Sequence, residues 1–253
     1  MKRKNKIILS FLLLVFTIIV SIIIKEDYRD IFSEINSSKP IYKVVKEEKE
    51  LSLTFDINWA ENDELYNILD VLDKYNVKAT FFIMGGWVNY SEENKEKLKK
   101  INEGGHEIGN HSYIHPMFTK IGEDRMREEL DKTNKIIKDT IGVDVKLFRF
   151  PSGDYNKKSY DFVKNRGFEV IQWSADSLDW KQLGEETEYN NVIKKIEPGA
   201  IILFHNNAKY TPKNLDKIIK KLQDEGYSFI PVGEMIYTNN DSYINENGEQ
   251  IKK

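Results

Sequence analysis

The chain has 253 residues, 38 of them basic and 41 acidic, for a formal net charge of −3, and it contains no cysteine. With 40% hydrophobic and 12% aromatic residues it can build a sizeable core, which excludes a disordered or low-complexity chain. The lack of thiols excludes disulfides and thiolate metal ligands.

The first 25 residues stand apart. Met1–Lys6 reads MKRKNK, and Ile7–Ile24 is an apolar run whose only polar members are Ser10, Thr17 and Ser21. At about 1.5 Å of rise per residue, such a run just crosses a hydrocarbon core of roughly 30 Å. The basic cluster precedes the run, so the positive-inside rule keeps the N-terminus in the cytoplasm and puts the remainder outside. The expectation is a single-pass anchor in the cell membrane over 1–25, with an extracytoplasmic domain. A cleaved signal peptide is the alternative, although the exit Ile22-Ile23-Ile24-Lys25-Glu26 lacks the small residues of a cleavage site. Residues 1–25 hold five bases (Lys2, Arg3, Lys4, Lys6, Lys25) and no acids, which leaves 33 basic against 41 acidic residues, a net of −8. That balance argues against nucleic acid as a partner. An exported chain without disulfides suits a bacterial surface.

Residues 26–41 read as a polar stalk ending at Pro40. Beyond it, apolar runs and amphipathic stripes alternate. A strand is expected at Leu51–Phe55, then a helix over Glu64–Tyr75 with Leu65, Ile68, Leu69 and Leu72 on one stripe. Next come a strand at Ala79–Met84 closed by Gly85-Gly86, a helix over Ser91–Asn102 stopped by Gly104-Gly105, and a strand at His106–Gly109. The series continues with a helix over Glu123–Thr140, a strand at Lys146–Phe150, a helix over Lys157–Arg166 and a strand at Phe168–Trp173. A helix over Asn190–Ile196, a strand at Ala200–Phe204, a helix over Asn214–Glu225 and a strand near Ser228–Pro231 complete it. Residues 239–253 read as a polar, frayed tail. The alternation predicts an α/β fold, a distorted barrel of seven or eight β/α units over 42–238. Working residues are then expected at the C-terminal ends of the strands.

Several strand ends carry chemistry. Asp56 closes the first strand in Leu53-Thr54-Phe55-Asp56-Ile57-Asn58-Trp59, either as a reactive carboxylate or as a cap for the next helix. Three of the four histidines fall within ten residues, in His106-Glu107-Ile108-Gly109-Asn110-His111-Ser112-Tyr113-Ile114-His115. The i, i+4 spacing of His111 and His115 on a helical turn turns both imidazoles to one side, where they either hold a zinc-like ion or are a surface pair. Arg149, in Phe148-Arg149-Phe150-Pro151, is either a buried ion-pair partner or a solvent-facing strand residue. Asp176 and Asp179 follow the next strand, and His205 closes the one after it. Trp59 and Trp180 flank these ends and are candidates for a binding groove.

In order, Thr54-Phe55-Asp56, His111-Ser112-Tyr113-Ile114-His115, Arg149-Phe150-Pro151, Asp176-Ser177-Leu178-Asp179-Trp180 and Leu203-Phe204-His205 resemble the motif series of the polysaccharide deacetylases. These form carbohydrate esterase family 4, the NodB-homology superfamily. The resemblance covers roughly Leu51–Glu234. It implies a metal-dependent hydrolase that removes N-acetyl groups from peptidoglycan or another N-acetylglucosamine polymer; a monomer is expected. It also implies His111 and His115 as ligands of one divalent ion, zinc first and cobalt, nickel or manganese otherwise. Asp56 would be the general base, Arg149 its anchor, His205 the general acid, and Asp176 the carboxylate that raises the basicity of His205. Trp59, Pro151, Tyr155, Trp180 and Leu203 would contact the substrate, with a backbone N–H near Tyr155 on the oxyanion. One position departs from the pattern. The family's second aspartate, a metal ligand, corresponds to Ile57, which leaves Asn58 as the nearest candidate donor. The Thr-Phe-Asp-x-x-Trp form is similar to a sporulation-linked branch, and a catalytically silent glycan-binding relative is the alternative.

Overall fold

Strand β2 (Glu50–Ile57) sets the plan of the protein because its side chains alternate between two different surroundings. In the computed structural model, which describes residues 15–21, 39–238 and 241–253, Leu51, Leu53, Phe55 and Ile57 all turn into one apolar cluster. Ser52 and Thr54 instead hydrogen-bond with their hydroxyls, and Asp56 is held by Arg149. The strand is flanked in parallel by β3 (Thr80–Ile83) and β8 (Ile201–His205). Beyond them lie β4 (Glu107–Asn110), β5 (Leu147–Phe148) and β6 (Glu169–Val170) on one side, and β7 (Ala175–Asp176) on the other. The order is β6-β5-β4-β3-β2-β8-β7, with β9 (Ser228–Phe229) on the first residues of β2.

The outer face of this sheet is covered by the helices Leu65–Lys74, Gly85–Tyr90, Glu92–Glu103, Glu185–Ile193 and Thr211–Asp224, whose buried Leu72, Trp87, Leu98, Val192 and Leu215 join the β2 cluster. Phe55 stacks between Phe81 and Phe204, its neighbours in register on β3 and β8, at centroid distances of 4.9 and 5.7 Å. Burying each such ring contributes about 1.5–3 kcal/mol. A second cluster, with Phe82, Leu147, Ile171 and Ile201, is closed by Ile41, Val44 and Met235. A third joins Phe148, Phe150 and Phe168 to the helices Glu123–Ile141 and Lys157–Asn165.

The alternating strands and helices are present, but the sheet is a partial barrel. Among the described residues no pairing joins β6 to β7. The gap is crossed by residues just before and within β1 (Lys43–Val44). The N–H of Ile41 donates to Val170 O (2.8 Å), its carbonyl accepts from Gln172 (2.7 Å), and the N–H of Val44 donates to Gly199 O (3.1 Å). Pro40 and Ile41 therefore belong to the fold rather than to a stalk. The chain divides into Met1–Ser38 and Lys39–Lys253. The first unit is helical at 15–21, and the remainder of the expected anchor and stalk lies outside the described residues. Among the described residues no helix is long and apolar enough to cross a membrane.

Three local expectations are corrected. The segment read as a frayed tail forms a hairpin, β10 (Ser242–Ile244) and β11 (Glu249–Lys252), and β11 pairs in parallel with β1. Its anchor is the buried Gln250, which bonds both Tyr237 N (2.9 Å) and Tyr237 O (2.6 Å), a polar device that leaves no hydrophobic period. The helix expected over Asn190–Ile196 occupies Glu185–Ile193, because Glu185, Glu186 and Glu188 lie in its first turn, where the helix dipole favours anions. Gly85 and Gly86 begin a helix rather than end a strand.

Gly199 lies at φ +78, and a Cβ there would sit 1.6 Å from the Val44 carbonyl oxygen. Gly142 has a similar φ of +75 with nothing near its added Cβ. Gly142→Ala is expected to cost about 1–2 kcal/mol of left-handed strain. Gly199→Ala is expected to cost clearly more, because it also displaces the segment that fills the barrel gap. Urea unfolding of both variants checks this, and equal losses would contradict the bridging role of Ile41–Val44.

Candidate active site

The C-terminal ends of β2, β4, β5 and β8 meet around Asp56. Register places Asp56 beside His205 on β8 and beside Phe82 on β3. Arg149, fully buried just past β5, reaches across the inside of the sheet. Its Nη1 donates to Asp56 Oδ1 and to Thr54 Oγ1, both at 2.8 Å, and its Nη2 donates to Gln172 O at 3.0 Å. The guanidinium lies 4.1 Å from the centroid of Phe82 and 5.5 Å from that of Trp173. Of the two readings open for this arginine, the structure selects the buried ion-pair partner. Burial works against ionisation of Asp56, but His111, Arg149 and His205 around it outweigh this and lower its pKa.

His111 and His115 converge, though not by helical spacing. The segment after β4 is a loop in which Ser112 (φ 66) and His115 (φ 63) adopt left-handed backbone, and the two rings meet edge to face with centroids 4.9 Å apart. The loop is fixed from three sides. The N–H of Ser112 donates to Asn110 Oδ1 (2.7 Å), and the N–H groups of Tyr113 and Ile114 donate to Glu129 Oε2 (2.7 and 2.8 Å). Gly85 and Gly86 donate their N–H groups to the carbonyls of Ser112 and Tyr113 at 2.9 and 2.7 Å. A Cβ on Gly86 would lie 2.6 Å from the Tyr113 oxygen, so only glycine lets the loop sit this close. Glu129 was invisible to motif reading, because a glutamate in a charged helix looks like a solvated face. Its only sequence signal is its place on the buried stripe with Met126, Leu130 and Thr133.

The histidine electronics follow from these contacts. His111 Nδ1 lies 3.0 Å from the Arg149 carbonyl oxygen, which fixes the proton on Nδ1 and leaves the Nε2 lone pair free, 3.5 Å from Asp56 Oδ2. Burial pushes His111 down to about 4 and also lowers His115, so both are neutral donors near pH 7. Two neutral imidazoles of this kind fit a divalent cation. Asn58 offers one further atom, a buried Oδ1 with no hydrogen-bond partner, while its backbone is clasped by the Asn206 side chain at 2.9 and 3.2 Å. Among the described residues no group of three or more His, Cys, Asp or Glu is placed to hold a metal. Ile57, at the position that corresponds to the family's second aspartate, is fully buried in the outer apolar cluster.

His205 requires a correction. The carboxylate on its ring is Asp179, not Asp176. Asp179 Oδ1 lies 2.7 Å from His205 Nδ1, and Oδ2 accepts the His205 backbone N–H at 2.7 Å. Asp176 is taken up by the Leu178 N–H (2.8 Å) and by Trp173 Nε1 (3.2 Å). Left-handed backbone at Leu178 turns the chain so that the later aspartate enters the site. Burial lowers the pKa of His205, but Asp179 overcomes it and the net shift is upward.

The other expected contacts divide. Trp59 and Trp180 are 44% and 55% exposed, with Tyr90 edge-on to Trp59 at 5.2 Å, so aromatic surface is open next to the strand ends, on a loop at Trp59 and on the short helical turn Asp179–Lys181 at Trp180. Leu203 and Pro151 are buried. Tyr155 stacks on Phe150, with its hydroxyl 3.3 Å from that of Tyr42.

The chain is similar to proteins already known. A family model described as Polysaccharide deacetylase matches residues 43–171. The chain is 37% identical over 198 residues to the YlxY protein of Bacillus subtilis, covering 78% of this chain and only 60% of that relative's length. It is 36% identical over 197 residues to a peptidoglycan-N-acetylglucosamine deacetylase of Bacillus cereus, covering 75% of this chain and 69% of the relative. Among solved structures it resembles a carbohydrate esterase family 4 pseudoenzyme from Bacillus anthracis, with a TM-score of 0.74 at 32% identity over 86% of this chain and 74% of that one. A mutant of that pseudoenzyme with restored enzymatic activity superposes with a TM-score of 0.73 at 36% identity, over 79% and 71% of the two chains.

Two outcomes follow from the electrostatics. Arg149→Met strands the buried Asp56 carboxylate and is expected to cost about 3–5 kcal/mol in urea unfolding. A loss below 1 kcal/mol would contradict the buried pairing. In histidine NMR titrations, His205 is expected to stay protonated above the ordinary 6.5, and Asp179→Asn to lower its midpoint. Because the folded pKa of His205 is raised, its contribution to stability is present below the unfolded pKa and fades as pH rises through the folded one. Asp179→Asn should therefore remove more stability at pH 6 than at pH 9.

Proposed function

Because the chain belongs to the polysaccharide deacetylase family, we propose that it hydrolyses N-acetyl groups on a cell-wall glycan, peptidoglycan or another polymer of N-acetylglucosamine. The reading is carried by one observation, the convergence of Arg149, His111, His115 and His205 around the Asp56 carboxylate. An amide resists hydrolysis, so a site for it needs a base for the attacking water, a stabiliser for the oxyanion and an acid for the departing amine. Asp56, kept ionised by its surroundings, takes the proton from the water. His205, whose imidazolium Asp179 favours, delivers a proton to the sugar nitrogen. A divalent cation on His111 and His115, zinc first and cobalt, nickel or manganese otherwise, would polarise the acetyl carbonyl and acidify the water. Trp59 and Trp180 offer apolar faces to sugar rings beside the reacting group. The N-terminal apolar run is read as an anchor that holds this domain at the outer face of the cell membrane.

A second reading is favoured by Ile57. Its side chain lies among Leu53, Phe55 and the outer helices, so a cation here would have two imidazoles and at most one amide oxygen from this chain. A catalytically silent relative that binds wall glycan, during wall or spore assembly, fits that poorer donor set, and a pseudoenzyme is among the similar structures.

Acetate release from an N-acetylglucosamine oligomer, measured with and without added zinc or cobalt, separates the two. Release that depends on the cation and falls by about 10³-fold or more in Asp56→Asn is expected, as for loss of a general base with its geometry kept. No release at any cation concentration, with the oligomer still bound, would establish the silent reading. His111→Ala is expected to lower cobalt affinity in calorimetry whether or not turnover occurs. Unchanged affinity would show that the cation does not use this imidazole.

A further inference from the structure

Behind His205, the hydrogen bonds do not stop at Asp179. Thr211 Oγ1 lies 3.0 Å from Asp179 Oδ2 and 3.1 Å from Glu188 Oε1. Asp179, Thr211 and Glu188 are 2%, 0% and 4% exposed, so no bulk water competes for these bonds. A threonine hydroxyl carries one proton and faces two carboxyl oxygens here. If Glu188 were ionised, one of the two contacts would set lone pair against lone pair in a buried place, at the full desolvation cost of an unmade bond. If Glu188 is protonated, both contacts are satisfied, because the Glu188 O–H donates to the Thr211 oxygen and the Thr211 O–H donates to Asp179.

We propose that Glu188 is a positioning residue for His205, a carboxylic acid that donates its proton through the Thr211 hydroxyl to the far oxygen of Asp179. This proposal rests on the general-acid role given to His205 above. Burial supports it, since it pushes the Glu188 carboxyl up to about 7, with Asp179 adding to the rise while hydrogen bonds from Asn214 and Thr211 oppose it. The groups facing Glu188 are Asp179 after β7, Thr211 and Asn214 on the helix Thr211–Asp224, and Glu185 on its own helix. The charge of Glu185 is offset by Lys213 and Lys217. The chain His205–Asp179–Thr211–Glu188 thus joins two outer helices to the reacting imidazole. Around neutral pH it has two states: a neutral Glu188 that shares the Asp179 charge, and an ionised Glu188 that adds a second negative charge behind His205.

The Glu188 side-chain carboxyl carbon and the His205 ring are followed by NMR against pH, in the unmodified chain and in Glu188→Gln. The amide of glutamine can still donate to Thr211, so this variant keeps the neutral geometry and removes the charge. In the unmodified chain, Glu188 is expected to titrate near neutral pH and to perturb the His205 signal as it does so. In Glu188→Gln that perturbation should vanish. The His205 midpoint should fall by about one pH unit, the effect of a charge on the order of 9 Å away at an effective dielectric constant near 20. Glu188 titrating in the ordinary range near 4.3, or a His205 midpoint unmoved by Glu188→Gln, would overturn the proposal. Both readouts stand without turnover. Acetate release with an unmoved His205 midpoint defeats this chain and leaves the deacetylase reading intact, whereas a silent enzyme with the expected titrations does the reverse.

Discussion

A single buried ion pair organises the inside of this sheet. Arg149 leaves the end of β5, crosses the space that a fully closed barrel would fill with apolar side chains, and meets Asp56 at the end of β2. On the way its Nη2 is bonded by the carbonyl of Gln172 and its guanidinium is flanked by Phe82 and Trp173, while its own carbonyl orients His111. Taking two charges out of water costs several kcal/mol per ion, and excellent geometry is needed to offset it. Geometry of that quality requires β2, β4, β5 and the segment after β6 to be in fixed positions. The pair therefore ties the Asp56 carboxylate and the His111 imidazole beside it to the same framework.

The histidine loop shows a related balance. Left-handed backbone at Ser112 and His115 costs about 1–2 kcal/mol at each non-glycine residue. It persists because Glu129, Asn110 and the two glycine N–H groups take up the loop's polar atoms. What this strain secures is two neutral imidazoles facing one another beside Asp56. The residues that offset it lie outside the motif, one at the end of β4, one on the helix Glu123–Ile141 and two at the start of the helix Gly85–Tyr90.

Ile57 shows where packing and chemistry compete. On β2 the odd-numbered positions feed the outer cluster and the even-numbered ones the inner face, and position 57 belongs to the first set. Isoleucine completes that cluster beside Phe55 at the expense of a charged donor for a cation. Asn58, with its unpartnered Oδ1, is the nearest polar group left at the strand end. Asp56 and Arg149 stay paired beside it, and fewer charged donors face the space next to them.

Most of the alternation of strands and helices, the strand-end placement of Asp56, Arg149 and His205, and the departure at Ile57 were legible in the sequence, whereas the two-residue strands β1 and β7 and the helix Gly85–Tyr90 were not. Period-2 and period-3.6 patterns and short motifs are local properties that the chain carries without folding. The open edge between β6 and β7, the β10–β11 hairpin and the segment that crosses the gap were not legible. They depend on hydrogen bonds between polar backbones far apart in the chain, which leave no apolar period. The spacing of His111 and His115 correctly announced a pair but suggested the wrong local shape, because the loop's conformation is imposed by Glu129, Gly85 and Gly86. The motif containing Asp176 and Asp179 offered two carboxylates for one imidazole. Only the folded chain decided between them, through a left-handed turn at Leu178 that aims the second inward, and only packing of separate helices brought Thr211 and Glu188 behind it.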